Sequence, residues 1–140
     1  MEKSTFSLQI YGIANCDTIK MARAWLTKHQ VDYYFHDFKK SGVPAAELEQ
    51  WIDFFGWETM VNRQGTTWRK LPLEQQERLK TRVGAAEAFC LHPSMIRRPV
   101  AHWANNDQAG GGDAITLGFD TVGWQENLKK FNFQQELPSS

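Results

Sequence analysis

Cys16 stands in the segment Gly12-Ile13-Ala14-Asn15-Cys16-Asp17-Thr18, between a short alternating apolar run and a helical one. A thiol at or just before the first turn of a helix meets unsatisfied backbone N–H groups and the positive end of the helix dipole, and both favour the thiolate. A thiolate attacks disulfides and other oxidised centres. The competing assignment is a small buried hydrophobe, the commoner fate of a single cysteine. No second thiol stands in this loop, because the two positions at redox-pair spacing, Ile13 and Ile19, are isoleucines. Cys90 lies in the apolar stretch Ala85-Ala86-Glu87-Ala88-Phe89-Cys90-Leu91 and reads as structural, with a resolving role toward Cys16 as the lesser alternative.

Arg97-Arg98-Pro99 is the second group able to do chemistry. A guanidinium grips a carboxylate or oxyanion through forked hydrogen bonds, so this pair can bind an anion, or it can be a solvated pair of charges. The residue before a proline is pushed toward extended backbone, which suits entry into a strand and leaves the isomer of the bond open. Arg63, Arg69 and Lys70 share the same ambiguity. The histidines at 29, 36, 92 and 102 show no metal-ligand spacing, and no metal site is expected. Gly110-Gly111-Gly112 is expected to be a turn and not a phosphate loop, since no Lys-Ser/Thr helix start follows it.

Elements must position these groups. Residues 6–11 alternate apolar and polar and predict a strand. A helix follows, with Ile19, Ala22, Trp25 and Leu26 on one side, Lys20, Arg23 and Thr27 on the other, and Asp17 or Thr18 as its cap. Residues 31–38 are rich in β-branched and aromatic side chains and predict a second strand, parallel to the first. Lys39-Lys40-Ser41-Gly42 is a turn, Pro44 opens a helix carrying Leu48, Trp51, Ile52 and Phe55, and Gly56 closes it. Residues 57–70 are expected to be irregular, with the polar run Asn62-Arg63-Gln64-Gly65-Thr66-Thr67 set between aromatics. Two short helices over 73–82 and 84–91 come next, then a strand over 100–104, a turn over 105–112, a strand over 114–119 and a helix from about Asp120 presenting Trp124, Leu128 and Phe131. Residues 134–140 read as a polar, frayed tail. The order β-α-β-α, helical insertion, β-β-α is that of an α/β thioredoxin-like fold, forming one domain over 1–140 with the insertion at about 57–95.

The composition agrees. The chain has 140 residues, 41% hydrophobic and 23% charged, which is the make-up of a soluble globule with its own core. Sixteen basic residues balance sixteen acidic ones, which removes the electrostatic footprint of a nucleic-acid binder. No apolar stretch approaches the roughly 18 residues of a membrane span, and the opening residues lack a secretory signal pattern. A cytoplasmic location is expected.

Three motifs in the same order, residues 10–20, residues 62–70 and residues 93–100, resemble the arsenate reductase (ArsC)/Spx family, in its YffB-like branch. The resemblance covers roughly residues 6–132. It implies a thioredoxin-like fold with a helical insertion and makes Cys16 the catalytic thiol. It also implies that Arg98 faces the cysteine, that Pro99 beside it is cis, and that Arg63 is a second arginine on the substrate side. Asn15 and Arg97 complete the expected substrate- or glutathione-binding set. The implied activity is a glutathione-dependent thiol reductase working through a mixed disulfide on one cysteine, with no bound cofactor and with glutathione as co-substrate. Expected partners are glutathione or another small thiol or oxyanion, and glutaredoxin, with no nucleic acid and no membrane, for a monomer. The alternatives are arsenate reduction with glutathione and glutaredoxin, and an Spx-like regulatory binding module without enzymatic activity. The chain departs from the arsenate reductases in two places: Gly12-Ile13-Ala14 replaces their His-Asn-Pro stretch, and no arginine follows Arg98. It departs from the Spx proteins in lacking a redox pair of cysteines.

Overall fold

A computed structural model describes residues 7–104 and 113–131. In chain order the elements are β1 (Leu8–Gly12), α1 (Asp17–Lys28), β2 (Tyr34–Asp37), α2 (Phe38–Ser41), α3 (Ala45–Phe55), α4 (Trp57–Met60) and α5 (Thr66–Lys70). They continue with α6 (Leu73–Arg78), α7 (Arg82–Leu91), a 3-10 turn (Pro93–Met95), β3 (Val100–Trp103), β4 (Ala114–Leu117) and α8 (Thr121–Lys130). The chain divides into two compact units, one of the residues up to His36 and from Arg98 onward, the other Asp37–Arg97.

The first unit is a four-stranded mixed sheet, in the order β2-β1-β3-β4, with helices. β3 runs antiparallel to both β1 and β4. Leu8 and Ile10 of β1 stand opposite Trp103 and Ala101 of β3. These four form one cluster with Ala22 and Leu26 of α1 and with Trp124 and Leu128 of α8. Trp103 and Trp124 meet edge to face with ring centroids 5.3 Å apart, and the Trp103 indole N–H donates to Thr116 Oγ1 at 3.0 Å. The simple alternation expected for the first strand is only half realised, because Tyr11 is buried as well as Leu8 and Ile10. β1 is an inner strand, and its phenol donates to Gln9 Oε1 at 2.7 Å.

The second unit is helical. α3 buries Leu48, Trp51 and Ile52 and packs against α7, which buries Gly84, Ala85 and Phe89. Thr81 caps α7 by accepting from the Gly84 N–H at 3.0 Å. Arg82 grips Asp53 of α3 through two hydrogen bonds, 2.7 and 2.9 Å, on an exposed surface.

Several expectations need correction. Residues 57–70 hold two short helices, α4 and α5, each too brief to leave a periodicity in the sequence. The second strand is shorter than 31–38, since Asp37 Oδ1 accepts from the Lys39 N–H at 2.9 Å and starts α2 where a turn was expected. The helix expected over 73–82 ends at Arg78, and the next begins two residues before 84, at Arg82. Cys16 itself, and not Asp17 or Thr18, is the N-cap of α1. Cys90 is exposed, because α7 turns Ala85 and Phe89 inward and leaves the next position on the outer side. The packing of α3 on α7 gathers Asp37–Arg97 into the helical unit. The last helix begins where expected, and Asp120 caps it, its Oδ2 accepting from the Gly123 N–H at 3.1 Å. The turn over 105–112, the start of the first strand at Phe6 and the tail over 134–140 lie outside the described residues.

Candidate functional site

The sheet register assembles the site. Tyr11 is opposite Val100, so the chain leaving β1 at Gly12 passes the residues entering β3, Arg98 and Pro99. A Cβ on Gly12 would lie 3.8 Å from Arg98 Cβ and would collide with the tip of Ile19, a fully buried side chain. Glycine at this position therefore lets β1, the first turn of α1 and the start of β3 converge. Gly12→Ala is expected to destabilise the fold by about 1–3 kcal/mol through overpacking, measured by denaturant melts. Because Ile19 would have to move, and its N–H with it, the same variant should also alkylate more slowly at Cys16 below neutral pH.

Cys16 has extended backbone, φ −142° and ψ 130°, and its carbonyl accepts the first helical hydrogen bond from Lys20 N–H at 2.9 Å. Its sulfur is partly buried, and burial alone would push the thiol pKa up. Three donors overcome that: the backbone N–H of Ile19, the Arg98 guanidinium, which also acts through its charge, and the backbone N–H of Thr18. The net result is a pKa below the ordinary thiol range. The sulfur closes no cap hydrogen bond of full geometry. The N–H groups still act on it, because a charged sulfur is large and its electrostatic attraction falls off slowly with angle. Cys90 is the reverse case, since partial desolvation pushes its thiol up with no donor to offset it. Both cysteines are free thiols.

The Arg98–Pro99 bond is cis. Pro99 is buried, and its carbonyl accepts from the Gly118 N–H at 2.8 Å, which ties the residue to the β3–β4 pair. Asn15 is exposed in the loop ahead of Cys16. The structure thus brings Cys16, Arg98, Pro99 and Asn15 together in the first unit. Arg97 and Arg63 belong to the second. The Arg97 N–H donates to Met60 O at 2.8 Å, and its Nη1 donates to Thr59 O at 3.3 Å, so this arginine braces the end of α4. Arg63 is exposed and lies over the rings of Trp57 and Trp68. Neither tryptophan was singled out by sequence reasoning, although the signal was present in the aromatics flanking the polar run. Among the described residues no group of three or more His, Cys, Asp or Glu could hold a metal ion, and no helix is long and apolar enough to cross a membrane.

Comparison with known proteins points the same way. The model of the ArsC family matches residues 11–126. A solved structure of a YFFB protein is 40% identical, with a TM-score of 0.73, over 86% of this chain and 98% of its own. An arsenate reductase (ArsC) related protein from Brucella melitensis is 38% identical, with a TM-score of 0.63, over 89% and 97%. A global transcriptional regulator Spx of Streptococcus pyogenes (serotype M6) is 30% identical over 61% of this chain and 64% of its own length.

Proposed function

The chain belongs to the ArsC family, and on that premise we propose that it is a cytoplasmic, glutathione-dependent thiol reductase acting through Cys16 alone. Its fold is that of the arsenate reductase-like thiol oxidoreductases. The observation that carries the finer reading is the position of Cys16, a partly exposed thiol at the extended N-cap of α1, where helix N–H groups and Arg98 favour the thiolate. A structural cysteine has no use for that environment.

In the proposed cycle the Cys16 thiolate attacks the glutathione sulfur of a substrate–glutathione disulfide. A sulfur–sulfur bond forms on Cys16, and the substrate leaves as its thiolate. A second glutathione thiolate then attacks the Cys16 adduct, releasing oxidised glutathione and restoring the Cys16 thiolate. The net change is a thiol–disulfide exchange: the mixed disulfide and one glutathione thiolate become the substrate thiolate and oxidised glutathione, with Cys16 regenerated. Arg98 stabilises the thiolate as nucleophile and as leaving group, and Pro99 forms an apolar wall beside it. Arg63 binds a ligand carboxylate, while Asn15 and Arg97 are proposed as further ligand-binding groups. With one thiol in the loop, an external thiol follows more naturally than an internal disulfide. The protein is proposed to act as a monomer.

The test is mass spectrometry of the Cys90→Ala protein after oxidised glutathione. One glutathione adduct, on Cys16, reversed by excess glutathione, is the expected result. No adduct at a pH where the thiol is ionised would sink the reading.

The Spx relative favours a second reading, a regulatory module that binds a protein partner and needs no turnover at Cys16. Such a module should show the adduct without catalytic reduction of glutathione mixed disulfides. The relative described as arsenate reductase related favours a third, arsenate reduction with glutathione and glutaredoxin, which a coupled assay reads directly. The absence of any arginine after Arg98 counts against it, because a multiply charged oxyanion loses a charge-assisted donor with each missing guanidinium.

A further inference from the structure

Arg63 is a long, exposed side chain, of a kind that ordinarily samples many rotamers. In this protein both ends of it are held. The backbone around it is folded back by Asn62, whose Oδ1 accepts from the Gln64 N–H at 3.3 Å and whose carbonyl accepts from the Gly65 N–H at 3.2 Å. Asn62 is itself fixed, its N–H donating to Met95 O at 2.7 Å beside the Val61–Ile96 bridge. At the other end the guanidinium carbon lies over two indole rings, 5.7 Å from the centroid of Trp57 and 5.8 Å from that of Trp68. The two rings are neighbours, with centroids 6.2 Å apart. Among the described residues no carboxylate pairs with Arg63.

We propose that Trp57 and Trp68 are positioning residues for Arg63: the two indoles hold the guanidinium by cation–π attraction, and its charge remains available to the carboxylate of a ligand. The proposal rests on the reading of Arg63 as an anion-binding group and adds what gives that arginine its affinity. Cation–π attraction orders the guanidinium without neutralising it, so the rings do not compete with the anion for its charge. The rings also restrict the rotamers before the ligand arrives, which lowers the entropy lost on binding. An ion pair to a neighbouring carboxylate would order the side chain equally well and would neutralise it.

The experiment titrates S-methylglutathione, which carries both carboxylates and cannot exchange disulfides, into the full chain. The signals followed are the arginine Nε–H and the tryptophan indole N–H resonances. Arg63→Gln should weaken binding about tenfold, as the loss of a charge-assisted bond implies. Trp57→Leu and Trp68→Leu should each weaken it about two- to fivefold, with Trp68→Phe recovering most of the loss. The double variant Arg63→Gln/Trp68→Leu should bind no worse than Arg63→Gln, which a general structural role for the ring would not produce. Unchanged affinity in both tryptophan variants, alongside a loss in Arg63→Gln, overturns the positioning role alone. No binding by the wild type, or none lost in Arg63→Gln, overturns the reading of Arg63 and the proposal with it. A second measurement needs no substitution: relaxation of the Arg63 Nε–H in the wild type should show a more ordered side chain than that of an arginine in a short unstructured peptide, and equal mobility overturns the proposal even where the leucine variants do not fold.

Discussion

Cys16→Ser is expected to leave a folded protein that forms no glutathione adduct and alkylates at Cys90 only. A hydroxyl in this environment does not ionise near neutral pH, so the loss should be complete to the limit of mass-spectrometric detection. Folding should survive, because serine is among the best N-cap residues and the extended φ and ψ of position 16 suit it. Helix stability alone would favour serine, threonine, asparagine or aspartate there, and the cap is instead given to a thiol. The substitution should also change how stability depends on pH. The native pKa of Cys16 lies below that of the unfolded chain, so the thiolate contributes stability that is fully present above the unfolded pKa and is lost as pH falls through the native one. Stability of the Cys90→Ala protein measured across that window should therefore rise with pH, and the rise should disappear when Cys16→Ser is added. An adduct in the Cys16→Ser protein, or an unchanged slope, would be fatal to the assignment of Cys16 as the ionised nucleophile.

Arg98→Gln is expected to move the midpoint of Cys16 alkylation to higher pH, toward the ordinary thiol range. Arg98 acts on the sulfur both as a hydrogen-bond donor and as a positive charge, and glutamine keeps only a neutral donor. The kinetic consequence has two parts of opposite sign. Each unit by which the pKa rises removes about tenfold of the thiolate at low pH and returns about threefold in intrinsic nucleophilicity, for a Brønsted slope near one half. The variant should therefore react severalfold more slowly than the wild type at acid pH and faster than it well above the new midpoint. Crossing pH–rate curves are the signature, measured by iodoacetamide alkylation in the Cys90→Ala background. Curves that superimpose would show that the N–H groups of Ile19 and Thr18 lower the pKa without help from the arginine. Arg98→Lys should fall between the two, keeping the charge but not the forked geometry.

The sequence was most informative where the chemistry is local. The glycine loop, the cysteine and the amphipathic run of Ile19, Ala22 and Leu26 are contiguous, and their spacing alone placed a thiol at a helix start. The cap itself was assigned one or two residues too late, since Cys16 is not a residue that capping preferences nominate. The expected burial of Cys90 failed for a related reason. In a stretch such as 85–91, apolar but for Glu87, composition does little to say which side of the helix faces inward, and packing against α3 decides it. The same limit hid α4 and α5, whose single turns owe their order to neighbours and not to an internal period.

By itself the sequence determined the α/β class, the order of the strands and longer helices, and the placement of a thiol at a helix start, because these follow from the hydrophobic period and from residues that stand next to one another. Only the tertiary structure decided that Arg98 reaches Cys16, that Gly12 must lack a side chain, and that Trp57 and Trp68 lie beneath Arg63. Arg98 meets Cys16 through the register of an antiparallel strand pair, and a shift of one residue in that register would turn every side chain to the opposite face. That register is fixed by the burial of Leu8, Ile10, Ala101 and Trp103 in a common core, a collective property of the folded chain that no segment of it carries alone.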